Sequence, residues 1–204
     1  EVSNDRYFRT SELLCCLTDT PRTNLNYYYP KISRPYRYVR FTPPPPAYPT
    51  ADCRAEIAEL AFFDSVDSEE HLPSKAIYGG GPVDENPAHD IDKACDDDWL
   101  TFYYSSGPRD SIVFDLQRAS TIKKILFVPR NDDNFITPGN VYELFYQSGV
   151  KGWISLGAQT ATTNELVYRN IPEGALLWLR NLTRGKEEQV FYVENDRQRF
   201  VGYE

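Results

Sequence analysis

Three oxygen-bearing side chains stand close together near the middle of the chain, at Asp96, Asp98 and Thr101. Calcium takes six to eight oxygen ligands at about 2.3–2.6 Å, drawn from carboxylates, hydroxyls and backbone carbonyls. Offsets of two and three residues let one tight turn wrap around such an ion, with the aspartates supplying charge and the threonine a hydroxyl. The spacing indicates a cation-binding loop, although an acidic turn exposed to solvent would contain the same residues.

The composition favours short strands as the elements that position this loop. The chain has 204 residues, of which 14% are aromatic, and it includes 15 tyrosines. Glycine and proline are spread along its length, and no long stretch repeats apolar residues at helical spacing. Such a chain can bury a full core, and its pattern predicts an all-β architecture of short strands and loops.

The charge restricts the partners that we expect. The formal net charge is −8, so the surface would repel nucleic acid and anionic membranes. No run of 18 apolar residues exists, which predicts no membrane insertion. Neutral sugars or cations suit an acidic surface better. The chain contains no methionine, and we therefore expect a mature product or a fragment of a longer protein.

Several segments have the length and pattern of strands. Tyr36–Phe41 alternates with period two, Leu13–Leu17 could be a buried strand, and Ala55–Phe63 fits a short helix or a strand by pattern alone. Seven later segments, separated by turn residues, predict an antiparallel β-sandwich. These are Ser111–Leu116, Lys123–Val128, Val141–Gln147, Trp153–Leu156, Glu165–Tyr168, Ala175–Asn181 and Gln189–Glu194.

The motif Lys-x-x-Asp-x-Asp-x-x-Thr, followed by the segment Ser111–Leu116, resembles the opening of a discoidin-type domain (coagulation-factor type C, galactose-binding-like). The likeness extends to modules of this family that are appended to bacterial cell-surface proteins. It implies a jelly-roll sandwich with one structural calcium ion, bound by the loop and by an Ala-Glu-like pair on the last strand. The implied ligands are Lys93, Asp96, Asp98, Thr101, Val193 and Glu194.

Other phrases extend the resemblance. Phe127–Phe135 with the segments after it is similar to the middle of such a domain, and Leu177–Glu188 to its penultimate strand and loop. Residues 36–63 resemble the two closing strands, in which Ala58 and Glu59 would be the calcium-side pair. This implies a partial or accessory β domain over residues 1–65 and a discoidin-like sandwich over residues 66–204. Alternatively, the early strands are an additional N-terminal β segment of the second sandwich.

A second candidate site follows Pro129. In sugar-binding relatives an arginine after proline and a nearby asparagine bind sugar hydroxyls, and an aromatic ring lies beneath the sugar. The chemistry suits this role, because arginine offers a fork of donors and carboxylates accept from hydroxyls. Alternatively, Arg130 pairs with Asp132 or Asp133 and stiffens the loop. The implied ligand-binding residues are Arg130, Asn131, Asp132, Asp133, Asn134 and Arg184.

The remaining side chains offer little for catalysis. There are only two histidines, no Gly-x-Ser-x-Gly motif, and no histidine near Cys95 in sequence that would activate it. We therefore expect no enzyme activity. The four cysteines are expected to be buried free thiols, and the three tryptophans, Trp99, Trp153 and Trp178, to lie in the core rather than to form a binding platform.

The function expected from the sequence is that of a non-catalytic module, stabilised by calcium, that binds a carbohydrate or glycoconjugate. It would belong to a larger secreted or surface protein and lie outside the cell, in the periplasm or on the cell surface. Its partners would be a glycan and the neighbouring domains of the larger chain. The alternative is a structural or protein–protein interaction module with the same fold and no sugar binding.

Overall fold

The computed structural model describes all residues except 24, 45–53, 83–84 and 203–204. Strands make up 38% of the chain and helices 5%, and the strand pairs are antiparallel, which confirms the all-β prediction. The strands are β1 Val2–Ser3, β2 Asn26–Tyr28, β3 Tyr36–Phe41, β4 Glu56–Phe63, β5 Lys75–Tyr78, β6 Tyr103–Tyr104, β7 Ile112–Ser120, β8 Lys124–Pro129, β9 Val141–Gln147, β10 Trp153–Thr160, β11 Leu177–Asn181, β12 Lys186–Glu187, β13 Phe191–Glu194 and β14 Arg197–Phe200. Short 3-10 helices cover Pro87–His89, Ile91–Ala94 and Gly149–Lys151.

The chain forms two compact units, unit 1 (Glu1–Asp133) and unit 2 (Asn134–Glu204). Unit 1 contains two four-stranded sheets, with strand orders β1-β3-β7-β5 and β2-β8-β4-β6. Residues on the inner faces of both sheets form one core. Phe62 on β4 meets Phe114 on β7 edge to face at 5.6 Å, and Phe41 on β3 stacks on Phe127 on β8 at 5.7 Å. Unit 1 is therefore a β-sandwich.

The central strand β4 explains why residues 55–63 looked ambiguous in the sequence. Seven consecutive residues, from Ile57 to Phe63, are buried, so the strand shows no alternation between apolar and polar positions. One side chain of this run is charged. Glu59 is only 2% exposed, and it lies on a strand that is covered on both faces.

The boundary between the units differs from the division at residue 65 expected from the sequence. Strands from the first 65 residues pair directly with strands from the following 65, because β3 pairs with β7 and β4 pairs with β8. The early strands therefore complete one sandwich with β5–β8. Strand patterns show which faces are apolar but do not identify the partner strand, which is why the sequence left this assignment open.

Unit 2 contains one six-stranded sheet in the order β10-β9-β11-β13-β14, with β12 paired to β11. One face of this sheet carries a small apolar core of Leu144, Leu177 and Phe191, against which Tyr168 and Leu156 pack. The segment around Tyr168 reaches this core without joining the sheet. The Tyr168 hydroxyl donates a hydrogen bond to the carbonyl of Tyr142 at 3.2 Å.

Most strands predicted from the sequence are present, and two segments differ. Glu165–Tyr168 and Leu13–Leu17 lie outside the sheets, since each lacks a neighbouring strand in register. Cys15, Cys16 and Cys95 are free thiols as expected, but Cys15 and Cys95 are only half-buried and Cys16 is exposed, while Cys53 falls outside the described residues. In the part of the chain that the structure describes, no helix has the length and apolar character needed to cross a membrane.

Candidate functional site

The loop between the second 3-10 helix and β6 is organised around Asp96. Both carboxylate oxygens of Asp96 accept from the Thr101 hydroxyl at 3.0 Å, and one also accepts from the backbone N–H of Asp98 at 3.2 Å. The Lys93 ammonium lies 3.1 Å from the same carboxylate. The structure therefore brings together the four loop residues that the sequence singled out.

Local hydrogen bonds hold this loop in a tight turn. The Asp98 carboxylate accepts from the N–H of Leu100 at 3.0 Å, and the Asp98 carbonyl accepts from the N–H of Thr101 at 3.1 Å and lies 3.0 Å from the Thr101 hydroxyl oxygen. Asp97 has a left-handed backbone with φ of +62°, a conformation that aspartate tolerates better than most residues. The turn keeps three acidic side chains within a few residues of each other.

The buried Glu59 approaches this turn from β4. Its carboxylate accepts the backbone N–H of Asp97 at 3.0 Å. The pKa of Glu59 is raised to about 7, chiefly by burial and also by the nearby carboxylates of Asp97 and Asp96, while the hydrogen bond from Asp97 and the charge of His71 oppose the rise. Within the described residues, no lysine or arginine forms an ion pair with Glu59. The buried Glu59 carboxylate thus lies beside an acidic turn in which Lys93 pairs with Asp96.

His71 is the nearest side chain that can carry positive charge toward Glu59. Its Nε2 lies 3.1 Å from the Asp97 carboxylate, and its Nδ1 lies 3.0 Å from the Leu72 carbonyl oxygen. Burial by itself would lower the pKa of His71, but the Leu72 carbonyl and the Asp97 charge outweigh it and raise the pKa. No spacing in the sequence connects His71 with the loop, so sequence reasoning gave it no role.

The predicted ligand pair Val193 and Glu194 lies in unit 2, on β13. Both residues are exposed, and the Glu194 carboxylate lies 3.6 Å from the Arg199 guanidinium within the β13–β14 hairpin. Within unit 1, the pair that adjoins the loop is Ala58–Glu59 on β4. The family resemblance implies a calcium-side role for this pair, but in a separate partial domain. The strand pairing of unit 1 places it beside Asp97.

The residues around the turn have the donor types that a hard cation requires. The turn contains carboxylates, a hydroxyl and backbone carbonyls, and the buried Glu59 carboxylate beside it forms no ion pair with a lysine or arginine among the described residues. In the same part of the chain, no group of three or more His, Cys, Asp or Glu side chains has the arrangement of a metal centre. These donors are of the types that calcium prefers. In the structure, the Asp96 carboxylate and the Thr101 hydroxyl are hydrogen-bonded to each other.

The second candidate loop, after β8, is held by pairing within the protein. The Arg130 guanidinium lies 2.8 Å from the Asp132 carboxylate and 3.3 Å from the Glu56 carboxylate. It also lies over the ring of Phe102, 4.5 Å from its centroid, and His89 stacks on the same ring at 4.4 Å. The pairing of Arg130 with Asp132 is one of the two alternatives expected from the sequence.

Asn131 connects the two loops. Its side-chain N–H donates to the Trp99 carbonyl at 2.8 Å, and its carbonyl oxygen accepts from the N–H of Asp133 at 2.8 Å. The side chain is buried, and its polar atoms are used inside the protein. Asn131 thus holds the Asp96–Thr101 loop against the loop after β8, called the Arg130 loop below. Its predicted contact with a ligand would require both bonds to break.

Replacing Asn131 with alanine should lower the free energy of unfolding by about 2–3 kcal/mol, because the Trp99 carbonyl and the Asp133 N–H would lose a buried partner. Asn131→Asp keeps the acceptor for Asp133 but places a buried carboxylate against the Trp99 carbonyl, so it should cost at least as much as alanine. Urea unfolding curves measure both values. A loss below about 0.5 kcal/mol for Asn131→Ala would show that the connection is dispensable.

The other predicted ligand residues lie in unit 2 or at its boundary. Asn134 is the first residue of unit 2 and is exposed. Arg184 is exposed in the turn between β11 and β12, where its backbone N–H donates to the Asn181 side chain at 3.2 Å. Unit 1 by itself therefore supplies Arg130, Asn131 and the two aspartates of the predicted sugar loop.

We compared the chain with protein-family models, with curated proteins and with solved structures, and none of them matched. The likeness to discoidin-type domains therefore depends on the sequence motifs given above.

Proposed function

We propose that this protein is a non-catalytic binding module whose sandwich, unit 1, is stabilised by one calcium ion. The observation that carries the proposal is the buried Glu59 carboxylate, which faces the Asp96–Thr101 loop through a 3.0 Å bond to Asp97. A buried carboxylate without a paired cation destabilises a fold by several kcal/mol, whereas a bound divalent cation removes that cost. The discoidin-like jelly roll is part of this proposal.

The proposed ligand set replaces Val193 and Glu194 with Ala58 and Glu59. The side chains of Glu59, Asp96, Asp98 and Thr101 would hold the ion, together with backbone carbonyls that the family resemblance assigns to Ala58 and Lys93. When bound, calcium supplies positive charge among these carboxylates. The loop would thereby be tied to the central strand β4, and through Asn131 to the loop after β8.

A calcium role agrees with a location outside the cell. Extracellular calcium modules bind with dissociation constants of about 10⁻⁴–10⁻³ M, which suits the calcium concentrations found there. We propose that the module lies outside the cell, in the periplasm or on the cell surface, as part of a larger protein.

For the ligand, we propose a neutral glycan or glycoconjugate. Unit 1 carries 22 acidic and 15 basic residues, so an anionic ligand would be repelled. The Arg130 loop has the donor and acceptor types for sugar hydroxyls. A second candidate is a structural or protein–protein interaction module, and the internal pairing of Arg130 with Asp132 and Glu56 favours it.

A glycan array at neutral pH with calcium separates these two functions. If the Arg130 loop binds a glycan, Arg130→Ala should weaken binding at least tenfold, because the loop would lose both its donors and its internal pairing. Arg118→Ala, which removes an exposed arginine from β7, is the matched control and should leave binding unchanged. If Arg130→Ala still binds the glycan, the sugar site is not in this loop. If the wild type binds no glycan on the array, the second candidate is favoured.

A further inference from the structure

The sheet of unit 2 has two different faces. Leu144 and Leu177 point to the small core on one side, so the alternating residues on β9, β10 and β11 point to the other. Three of these are aromatic: Phe145 on β9, Trp153 on β10 and Trp178 on β11. We call this set the aromatic row.

The three rings of the aromatic row touch each other across the strands. Phe145 lies directly opposite Trp178, with ring centroids 5.7 Å apart, and the centroids of Trp153 and Trp178 are 5.5 Å apart. Trp153 is 37% exposed, and the other two rings are half-buried. A solvent-facing side of an antiparallel sheet usually carries polar residues, so adjoining rings at this position favour a binding surface.

Polar groups border the aromatic row, and their charges are balanced. The Ser155 hydroxyl donates to the Glu143 carboxylate at 2.6 Å. The Arg180 guanidinium lies 5.3 Å from the centroid of Trp178 and 3.7 Å from the Glu187 carboxylate. Unit 2 as a whole has seven basic and eight acidic residues. These bordering side chains offer hydrogen-bond donors and acceptors without a strong net electrostatic field, which suits a neutral ligand rich in hydroxyls.

The Arg130 loop lacks a comparable open ring. Its nearest aromatic side chain, Phe102, already stacks on His89 and on the Arg130 guanidinium. Sugars bind aromatic side chains through the apolar face of the pyranose ring, which needs an accessible ring surface. The aromatic row of unit 2 provides such a surface, with adjoining rings on neighbouring strands.

We infer that the aromatic row binds a single chain of a neutral polysaccharide, with sugar rings on Trp153 and Trp178 and hydroxyls bonded to Glu143, Ser155 and Arg180. This inference rests on the proposed glycan-binding function and assigns it to a different surface. The ring planes are tilted by 51° and 40° relative to their neighbours. A twisted surface of this kind fits a separate, flexible chain and does not fit the flat face of a crystalline polysaccharide.

Affinity electrophoresis of the full chain in gels that contain hydroxyethylcellulose, arabinoxylan or galactomannan tests the inference. We expect at least one of these neutral polysaccharides to retard the protein, and Trp153→Ala to weaken the retardation at least tenfold. Trp153→Phe keeps a ring and should retain part of the binding. Tyr78→Ala removes an exposed ring from unit 1 and serves as the matched control. Far-UV circular dichroism checks that each variant is folded, and Phe145→Leu offers a second variant at the same surface.

The same gels, run with Arg130→Ala, separate this inference from the loop assignment. Retardation that is lost in Trp153→Ala and kept in Arg130→Ala would support the aromatic row and overturn the loop site. The reverse pattern would overturn the aromatic row and support the loop. No retardation by any of the three polysaccharides would overturn the inference, while the calcium part of the proposed function would still be tested by calcium binding.

Discussion

Replacing Glu59 with glutamine is expected to stabilise the calcium-free protein and to abolish the stabilisation that calcium gives. In a chelator at pH 8 the buried carboxylate is ionised and lacks a basic partner among the described residues. Its pKa of about 7 lies roughly 2.5 units above the ordinary value, so removing the charge should stabilise the fold by about 3 kcal/mol. In calcium the carboxylate becomes a ligand, and the same substitution should remove the stabilisation that the ion gives.

The size of the calcium effect follows from mass action. At 10 mM calcium and a dissociation constant of about 10⁻⁴–10⁻³ M, the ion should stabilise the wild-type protein by about 1.4–2.7 kcal/mol. Thermal melts with calcium and with chelator measure this effect in both proteins. Glu69→Gln, at an exposed position, is the matched control and should behave as the wild type. If Glu59→Gln gains as much from calcium as the wild type does, Glu59 is not a ligand.

The stability of the calcium-free protein should fall as pH rises from about 4.5 to about 7. The pKa of Glu59 is raised in the folded state, so the folded protein binds more protons than the unfolded chain in this window. Protonated Glu59 therefore contributes fully to the free energy of unfolding below pH 4.5. This contribution, about 3 kcal/mol in total, is lost as the pH rises through 7. The pKa of His71 is also raised, which gives a contribution of the same sign at higher pH.

Urea unfolding at several pH values between 4.5 and 8 tests this dependence. In the presence of a chelator the decline should be present in the wild type and largely absent in Glu59→Gln. Calcium favours the ionised carboxylates, so adding it should reduce the decline in the wild type and release protons near pH 6. A wild-type curve that rises across this window in chelator would contradict the burial of an unpaired Glu59.

The local contacts of the candidate site follow from residue type and spacing. The motif from Lys93 to Thr101 forms a turn held by Asp96 and Thr101, because its hydrogen bonds join residues no more than five positions apart. Short-range contacts of this kind depend mainly on residue type and spacing. The Arg130 pairing with Asp132 was also among the expected alternatives for the same reason.

The long-range parts could not be predicted, because they depend on strand pairing. Glu59 and Asp97 are 38 positions apart and meet only because β4 lies in the centre of its sheet, next to β6 and β8. The family resemblance implied Val193–Glu194 on the last strand for this calcium site and placed Ala58–Glu59 in a separate partial domain. Trp153 and Trp178 were expected in the core, but Trp153 is 37% exposed and contacts Trp178 on the other face of the sheet. The sequence pattern of a strand does not show which of its two faces is covered.

Isothermal titration of calcium into the chelator-treated protein at pH 7.5 tests the central claim most directly, with Glu59→Gln and Glu194→Gln compared with the wild type. We expect one calcium per chain with a dissociation constant of about 10⁻⁴–10⁻³ M or tighter, with binding unchanged in Glu194→Gln and lost in Glu59→Gln. Calcium binding that is lost in Glu194→Gln and kept in Glu59→Gln would contradict this expectation, as would the absence of binding to the wild type at 10 mM calcium.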